Sequence, residues 1–206
     1  MNSRSPKLQP KHRIFLSHSG AQKDFVRQLC KDLEAETYFP FFDQRSSSLL
    51  KGKKFAPEII AAAQQCNVAV VVLSEEYLTS KWPMLELVEF VKAMKSGDNP
   101  KLELFPLFYK ISVDDLSAKS FEQRWKYAWA NIAKDDPDRF NLSWCTKALR
   151  ELRGSNGLKF QDFQYSEVSY REAIVKEISL LLPPDLLDDT SDVIGYDRLC
   201  KVCWDS

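Results

Sequence analysis

The amino-acid sequence predicts an α/β fold: an open parallel sheet of five strands with helices on both faces. Apolar, β-branched runs alternate along the chain with segments in which apolar residues recur every three or four positions. A strand that is apolar throughout is buried on both faces, as the strands of parallel sheets are. Alternation of such strands with helices indicates crossover connections and two helical layers.

The composition is that of a globular domain with terminal extensions. Of 206 residues, 44% are apolar and 28% charged, and 29 basic residues balance 29 acidic ones. That balance gives no general attraction for nucleic acid or an anionic membrane. The absence of a membrane-spanning run and of a signal-peptide pattern predicts a cytoplasmic or nuclear location without membrane contact. We expect a disordered lead at 1–11, the domain at 12–182 and an acidic linker or tail at 183–206.

The first strand is predicted at His12–Ser17, centred on Ile-Phe-Leu. A helix is predicted over Ala21–Glu36, because its apolar residues share one face: Phe25, Val26, Leu29, Cys30 and Leu33. Tyr38–Phe42 is the second predicted strand. The loop after it, Asp43–Lys54, is longer than usual strand-to-helix connections, and a helix is predicted at Phe55–Gln65.

The central strand is predicted at Asn67–Leu73, the most continuous apolar run of the chain. A helix should begin near Trp82, because Ser80 suits an N-cap and Pro83 is tolerated only in a first turn. This helix should end by Gly97. Its predicted buried stripe is Met84, Leu87, Val88, Val91 and Met94.

Two strands and three helices are predicted in the last part of the chain. Leu102–Tyr109 is a strand in which Pro106 indicates an edge or an end, and Leu158–Phe160 is a short fifth strand. The predicted helices are Phe121–Lys134, Leu142–Arg153 and Tyr165–Leu182. On the helix Phe121–Lys134, the residues expected to face inward are Trp125, Ala128, Trp129 and Ile132. On the helix Tyr165–Leu182, they are Val168, Ala173, Ile174, Ile178 and Leu181.

Five cysteines give no clear disulfide or metal pattern. Cys30 and Cys66 lie in apolar surroundings and are expected to be reduced and buried. Cys200 and Cys203 form a CxxC without a second pair, so the motif alone does not establish a zinc or redox role. With only two histidines in the chain, a histidine-rich metal site is excluded.

Polar loops follow three predicted strands, at the edge where parallel sheets bind ligands. They are Ser17–Gly20, Asp43–Lys54 and Ser74–Trp82. Beside them, Trp82 and Glu86 lie four positions apart on one helix face, away from the buried stripe. A carboxylate one turn from an indole suits a site that stacks a flat cationic ring beside a negative charge. The alternative is a solvated glutamate and a half-buried tryptophan that only packs.

The sequence lacks the motifs of three other classes of α/β protein. There is no GxGxxG after the first strand and no P-loop lysine motif, which argues against a classical dehydrogenase and a P-loop NTPase. A response regulator needs acidic residues after the first strand, where this chain has Ser17, His18 and Ser19.

Several motifs, in their order along the chain, resemble a plant TIR (Toll/interleukin-1 receptor) domain. The resemblance covers roughly residues 11–182 and is greatest to TIR-only proteins and TIR–nucleotide-binding–tetratricopeptide proteins. The motifs are Arg13-Ile-Phe-Leu-Ser-His-Ser-Gly20, Phe41-Phe-Asp43, the loop with Lys51-Gly52, Val70-Val-Val-Leu-Ser74 and Ser80-Lys-Trp-Pro-Met-Leu-Glu-Leu87.

That resemblance implies a flavodoxin-like sheet and cleavage of NAD⁺, as substrate rather than cofactor, with no metal. The implied products are nicotinamide and ADP-ribose or a cyclic ADP-ribose isomer that acts in plant immune and cell-death signalling. The family's catalytic glutamate falls on Glu86, its aromatic partner on Trp82, and its closing loop on Asp43–Lys54. TIR enzymes of this kind work as self-associated assemblies, and the tail Gly195–Leu199 would lead to nucleotide-binding and repeat domains in a longer chain.

The chemistry of the residues agrees with this role. Breaking the nicotinamide–ribose bond leaves an oxocarbenium-like ribose, which a fixed carboxylate at Glu86 would stabilise. A helix start offers N–H groups to a diphosphate, and a basic loop containing a glycine lets cations and backbone approach it. The remaining predicted substrate-binding residues are His18, Ser19, Gly20, Ala21, Asp43, Arg45, Lys51 and Gly52. Their alternative interpretation is a turn glycine and solvated charges.

Two other functions stay open. A non-catalytic TIR adaptor would only bind other TIR domains; such adaptors usually lack the carboxylate found at Glu86. A nucleic-acid-binding filament is the third hypothesis. Zero net charge argues against it, and so does Pro83, where plant relatives commonly have a cysteine tied to cyclic-nucleotide synthesis on nucleic acid.

Overall fold

A four-stranded parallel sheet forms the centre of the domain. The computed structural model describes residues 13–41 and 64–182, and elements are numbered within those residues. The strand order is β1–β2–β3–β4, and every neighbouring pair is parallel. The predicted parallel α/β fold is thereby confirmed, and residues 13–41 and 64–182 contain four strands where five were predicted along the chain. The strands are β1 Ile14–Ser17, β2 Val68–Leu73, β3 Glu103–Phe108 and β4 Leu158–Lys159.

The predicted second strand appears in the described residues only as a single bridge. Phe41 pairs with Phe15 on the side of β1 opposite β2, donating to the Ile14 carbonyl at 2.7 Å and accepting from the Leu16 N–H at 2.9 Å. Pro40 precedes it and has no N–H to donate to a ladder. The predicted loop 43–54 and most of the predicted helix 55–65 lie outside the described residues, as do 1–12 and 183–206.

Helices cover both faces of the sheet. Helix α1 (Lys23–Ala35) starts two residues later than predicted, because Gly20–Gln22 forms a 3₁₀ turn, and helix α3 (Lys81–Ser96) ends where Gly97 adopts a left-handed φ of 82°. Within residues 13–41 and 64–182, none of the helices combines the length and apolar content needed to cross a membrane. The main helices are α1 Lys23–Ala35, α2 Glu75–Thr79, α3 Lys81–Ser96, α4 Lys126–Asp135, α5 Leu142–Arg153 and α6 Glu167–Leu181.

Alternation along the strands divides the core into two layers. Side chains of successive strand residues point to opposite faces. On one face, Ile14, Leu16 and Val70 pack with α1 and α6. On the other, Phe15 and Val71 pack with α3, α5 and the buried indoles of the segment before and within α4. The predicted stripe of α1 is buried throughout, as expected for a helix that covers a sheet.

The predicted helix at Phe121–Lys134 contains an irregular first turn. Phe121–Trp125 is a π turn, and regular helix continues as α4. Trp125 and Trp129 are fully buried as predicted, and the Trp129 indole N–H donates to the Leu78 carbonyl at 2.6 Å. That bond satisfies the polar atom of a side chain that is otherwise packed in the core.

Two residues of α6 that were predicted to face the core do not. Val168 is 57% exposed and Leu181 41% exposed. The buried stripe of α6 is Tyr170 with Ile174 and Ile178, and a residue two positions before that stripe points to the opposite side of a helix with 3.6 residues per turn. At the other end, Leu182 enters the core in place of its neighbour.

The described cysteines are free and buried, which confirms the expectation for Cys30 and Cys66. Burial raises the pKa of Cys66 to about 12, and burial together with Glu34 raises the pKa of Cys30 to about 11. Both therefore stay neutral thiols near neutral pH. The CxxC lies outside the described residues.

Pro106 lies within β3 and not at its end. It is in register with Val71 of β2, whereas β4 pairs only with Leu107 and Phe108. On the β4 side, β3 is therefore an edge at Pro106, where a missing N–H costs no ladder bond. Gly157 precedes β4 and approaches this point closely: a Cβ on it would lie 2.1 Å from the Pro106 carbonyl oxygen.

Replacing Gly157 by Ala should destabilise the fold, because backbone would have to move to relieve that overlap. Overpacking of this kind costs about 1–3 kcal/mol. Chemical denaturation would register the loss as a lower midpoint. Gly154→Ala is the matched control, since the nearest atom to a Cβ there lies at 3.4 Å. Equal midpoints for the two variants would contradict the close approach.

Candidate functional site

Apart from the tyrosines, every buried side chain of the described residues that carries a hydroxyl, amide, imidazole or carboxyl group belongs to the β1 end, the β2 end or helix α3. The first two lie at one edge, because parallel strands end on the same side of a sheet. Burial of polar groups costs free energy unless they are hydrogen-bonded, so such a cluster needs an explanation beyond packing. The set is Ser17, His18, Ser19, Gln22, Ser74 and Glu86.

Glu86 is the one charged member of this set, and it is 8% exposed. The Ser17 hydroxyl donates to its Oε2 at 2.6 Å. A solvated glutamate is therefore contradicted. The expectation that Glu86 lies away from the buried face of its helix was also wrong: α3 is buried continuously from Pro83 to Val88, because it contacts β1, α2 and α5.

Tyr77 adds a second hydroxyl to this contact. Its Oη lies 2.9 Å from Ser17 Oγ and donates to the Pro83 carbonyl at 2.9 Å. The side chain is completely buried, and burial first, with the charge of Glu86 second, raises the pKa of Tyr77 well above its ordinary value. Sequence reasoning assigned no role to Ser17 or Tyr77. The available signal was the position of Ser17 at a strand end, next to a predicted site residue.

A neighbouring network joins the loops after β1 and β2. The amide oxygen of Gln22 accepts from the hydroxyls of Ser19 and Ser74, the latter at 3.0 Å. Its amide nitrogen donates to Glu76 at 3.3 Å. Ser74 also caps α2 by accepting the Tyr77 N–H at 3.1 Å. The Ser74 hydroxyl is the main cause of a lowered pKa at Glu76. Gln22, at the centre of this network, was not predicted from the sequence.

Trp82 is half-buried at the start of α3. The Lys81 ammonium lies 5.2 Å from the centre of its ring and 2.6 Å from Asp136. Ser80 precedes the helix, but its hydroxyl donates to the Glu76 carbonyl and does not cap α3. The third helical residue, Pro83, has no N–H to offer such a cap.

The predicted substrate-binding turn divides into buried and exposed parts. His18 and Ser19 are buried, at 5% and 2% exposure, and the Ser19 hydroxyl is engaged by Gln22. Gly20 and Ala21 are exposed and belong to the 3₁₀ turn. The loop residues Asp43, Arg45, Lys51 and Gly52 lie outside the described residues. Of the predicted site, the structure therefore places the turn after β1 and the start of α3.

Comparison with known proteins agrees with this fold. A family model of the TIR domain matches residues 14–143. The chain belongs to the TIR family. The TIR domains of the activated Roq1 resistosome, which directly recognises the pathogen effector XopQ, superpose with a TM-score of 0.65 at 24% identity, covering 81% of this chain and 99% of that one.

Plant disease resistance proteins contain related TIR sequences. Disease resistance protein RUN1 of Vitis rotundifolia is 30% identical over 157 residues, which are 76% of this chain and 11% of that protein. Disease resistance protein RBA1 of Arabidopsis thaliana is 27% identical over 199 residues, 93% of this chain and 51% of that protein. The chain thus spans between a tenth and about half of the length of these relatives.

The ion pair beside Trp82 gives a pH-dependent prediction for this TIR domain. Hydrogen bonding from Lys81 is the main cause that holds the pKa of Asp136 below its ordinary 3.8. A carboxyl whose pKa is lowered by folding stabilises the fold above its unfolded pKa, and that stability is lost as pH falls through the folded pKa. Lys81→Met should therefore lower the free energy of unfolding near neutral pH.

The difference in the free energy of unfolding between Lys81→Met and the unmodified protein should shrink as pH falls below about 3.8. Urea denaturation at a series of pH values would measure it. The matched control is Lys101→Met at an exposed lysine. If Lys81→Met is destabilised by the same amount down to the lowest pH, the charge of Lys81 does not contribute to stability through Asp136, and the prediction is contradicted.

Proposed function

We propose that this TIR domain cleaves the nicotinamide–ribose bond of NAD⁺, with Glu86 as the catalytic carboxylate. The products are nicotinamide and ADP-ribose or a cyclic ADP-ribose isomer, in innate immune and cell-death signalling. The observation that carries the proposal is a buried carboxylate, held by a serine of β1, at the ligand-binding edge of a parallel sheet.

The reaction requires little proton transfer at the leaving group. The nicotinamide ring of NAD⁺ already carries a positive charge and departs as a neutral base when the C–N bond breaks. Positive charge then develops on the ribose, and the carboxylate of Glu86 would stabilise it. Water completes hydrolysis by adding at the same carbon and releasing one proton. In cyclisation, an atom of the adenine or of its ribose replaces water as the nucleophile.

The surrounding residues support binding of a flat, charged dinucleotide. Trp82 offers a half-buried ring four residues before Glu86, although the Lys81 ammonium already lies near that ring. The diphosphate would approach the exposed backbone of Gly20 and Ala21, since His18 and Ser19 are buried behind it. We propose that Asp43, Arg45, Lys51 and Gly52, which lie outside the described residues, also bind the substrate.

Assembly is part of the proposal. The solved TIR domains with the same fold belong to an activated resistosome, and the related sequences belong to disease resistance proteins. These relatives support self-association through TIR–TIR contacts, and in a longer chain an attachment to nucleotide-binding and repeat domains.

Glu86→Gln should strongly reduce NAD⁺ cleavage while leaving the fold intact, because it removes the charge and keeps the shape. We expect kcat to fall by about 10²–10³. Nicotinamide release, followed by chromatography with mass analysis of the products, would measure the loss and separate linear from cyclic ADP-ribose. Glu89→Gln is the matched control: Glu89 lies one turn further along α3 and pairs with Lys92 at 2.8 Å.

Full activity in Glu86→Gln would remove the residue from its proposed role. A wild-type protein that self-associates but releases no nicotinamide at any concentration would favour the adaptor function instead.

The specific activity should rise with protein concentration and then level off, because the assembled form is the active one. Turnover per subunit, measured beside the mass distribution from light scattering, would test this. A turnover per subunit that stays constant from monomer to assembly would contradict the requirement for self-association.

A further inference from the structure

We propose that Ser17 and Tyr77 are positioning residues for Glu86, acting as two buried hydroxyls in series. We use the name hydroxyl relay for the series of contacts that runs from the Glu86 carboxylate through the hydroxyls of Ser17 and Tyr77 to the Pro83 carbonyl. The inference rests on the proposed function, because it assigns how the reacting carboxylate of that reaction is held. It gives a role to two residues that the sequence analysis did not assign to the site: Ser17, which lies within the first motif, and Tyr77.

The first link fixes the carboxylate to the sheet. Ser17 is the last residue of β1, is completely buried, and stands in register with Val71 of β2. A side chain of Glu86 bound only by its own helix would keep several rotamers. The 2.6 Å bond from Ser17 instead ties Oε2 to a strand that has β2 on one side and the Phe41 bridge on the other.

The second link fixes the same carboxylate to the start of α3. Tyr77 belongs to α2, whose first turn is capped by Ser74, and its hydroxyl reaches both Ser17 and the Pro83 carbonyl. Pro83 directly follows Trp82. The relay therefore connects the Glu86 carboxylate to the first helical turn of α3, which contains Trp82, through one pair of hydroxyl groups.

The two hydroxyls act together because they carry fewer protons than the relay has contacts. Each hydroxyl carries one proton, and an ionised carboxylate carries none. The relay contains three oxygen–oxygen contacts, so two protons cannot fill all three when Glu86 is ionised. Ser17 donates to the carboxylate, and the Tyr77 proton is then divided between Ser17 and the Pro83 carbonyl. When Tyr77 donates to Ser17, it polarises that hydroxyl and strengthens its bond to the negative charge.

The test compares steady-state NAD⁺ cleavage by Ser17→Ala and Tyr77→Phe at a protein concentration where activity per subunit is constant. Both changes remove one oxygen and leave the remaining shape. Misplacing a reacting group by about 1 Å costs up to about 100-fold. We expect kcat to fall about 10- to 100-fold for Ser17→Ala and about fivefold for Tyr77→Phe, with KM within about twofold in both.

A double variant separates positioning from a general loss of stability. If Tyr77 acts through Ser17, Ser17→Ala/Tyr77→Phe should be no slower than Ser17→Ala alone. Tyr170→Phe is the matched control, because Tyr170 is also fully buried and its hydroxyl donates to the Leu158 carbonyl at 2.9 Å in the other core layer. It should lower the unfolding midpoint about as much as Tyr77→Phe does and leave kcat unchanged.

The outcomes distinguish this inference from the proposed function. If the unmodified protein cleaves NAD⁺, Glu86→Gln does not, and both relay variants keep the unmodified kcat, the positioning role is overturned and the catalytic carboxylate stands. If the unmodified protein releases no nicotinamide, both fall together. Should Ser17→Ala fail to fold, Tyr77→Phe decides: a kcat equal to that of Tyr170→Phe overturns the relay.

Discussion

The hydrogen bond from Ser17 to Glu86 is the contact on which the proposed chemistry depends. A carboxylate that loses its hydration inside a protein is costly unless donors replace the water. Here the donor comes from a strand end, so the negative charge is held at a defined place beside the sheet. Loss of this donor would leave the buried carboxylate less firmly held against β1.

The doubly wound sheet makes that contact possible. Parallel pairing brings the ends of β1 and β2 to one edge, and two apolar layers fix the helices that cross it. Polar side chains then gather where the strands stop, in two adjoining networks centred on Ser17 and Gln22. The first holds a charge, and the second joins the two loops that frame it. Rigid strands carrying short polar loops suit a site that must place one carboxylate with precision.

The sequence predicted the elements well because their patterns are local. Strand β2 and helices α1, α3 and α5 follow from apolar runs, helical periodicity and the terminal glycine or proline. The hydroxyl relay could not be predicted, because its partners are separated by 60 and 69 positions and meet only in the folded chain. The inward assignment of Val168 was wrong because apolar character alone does not reveal which side of a helix meets the sheet. Within the described residues, the predicted second strand contributes one bridge, at Phe41.

The most direct measurement is a structure of the assembled protein bound to a carbocyclic analogue of NAD⁺, which cannot lose nicotinamide. The ring carbon that bears nicotinamide should lie about 3–3.5 Å from the Glu86 carboxylate, the distance at which reacting groups are held. Ser17 should still donate to the same carboxylate, and the nicotinamide ring should lie beside Trp82. An analogue bound elsewhere, with Glu86 contacting only protein atoms, would contradict the catalytic role of this carboxylate.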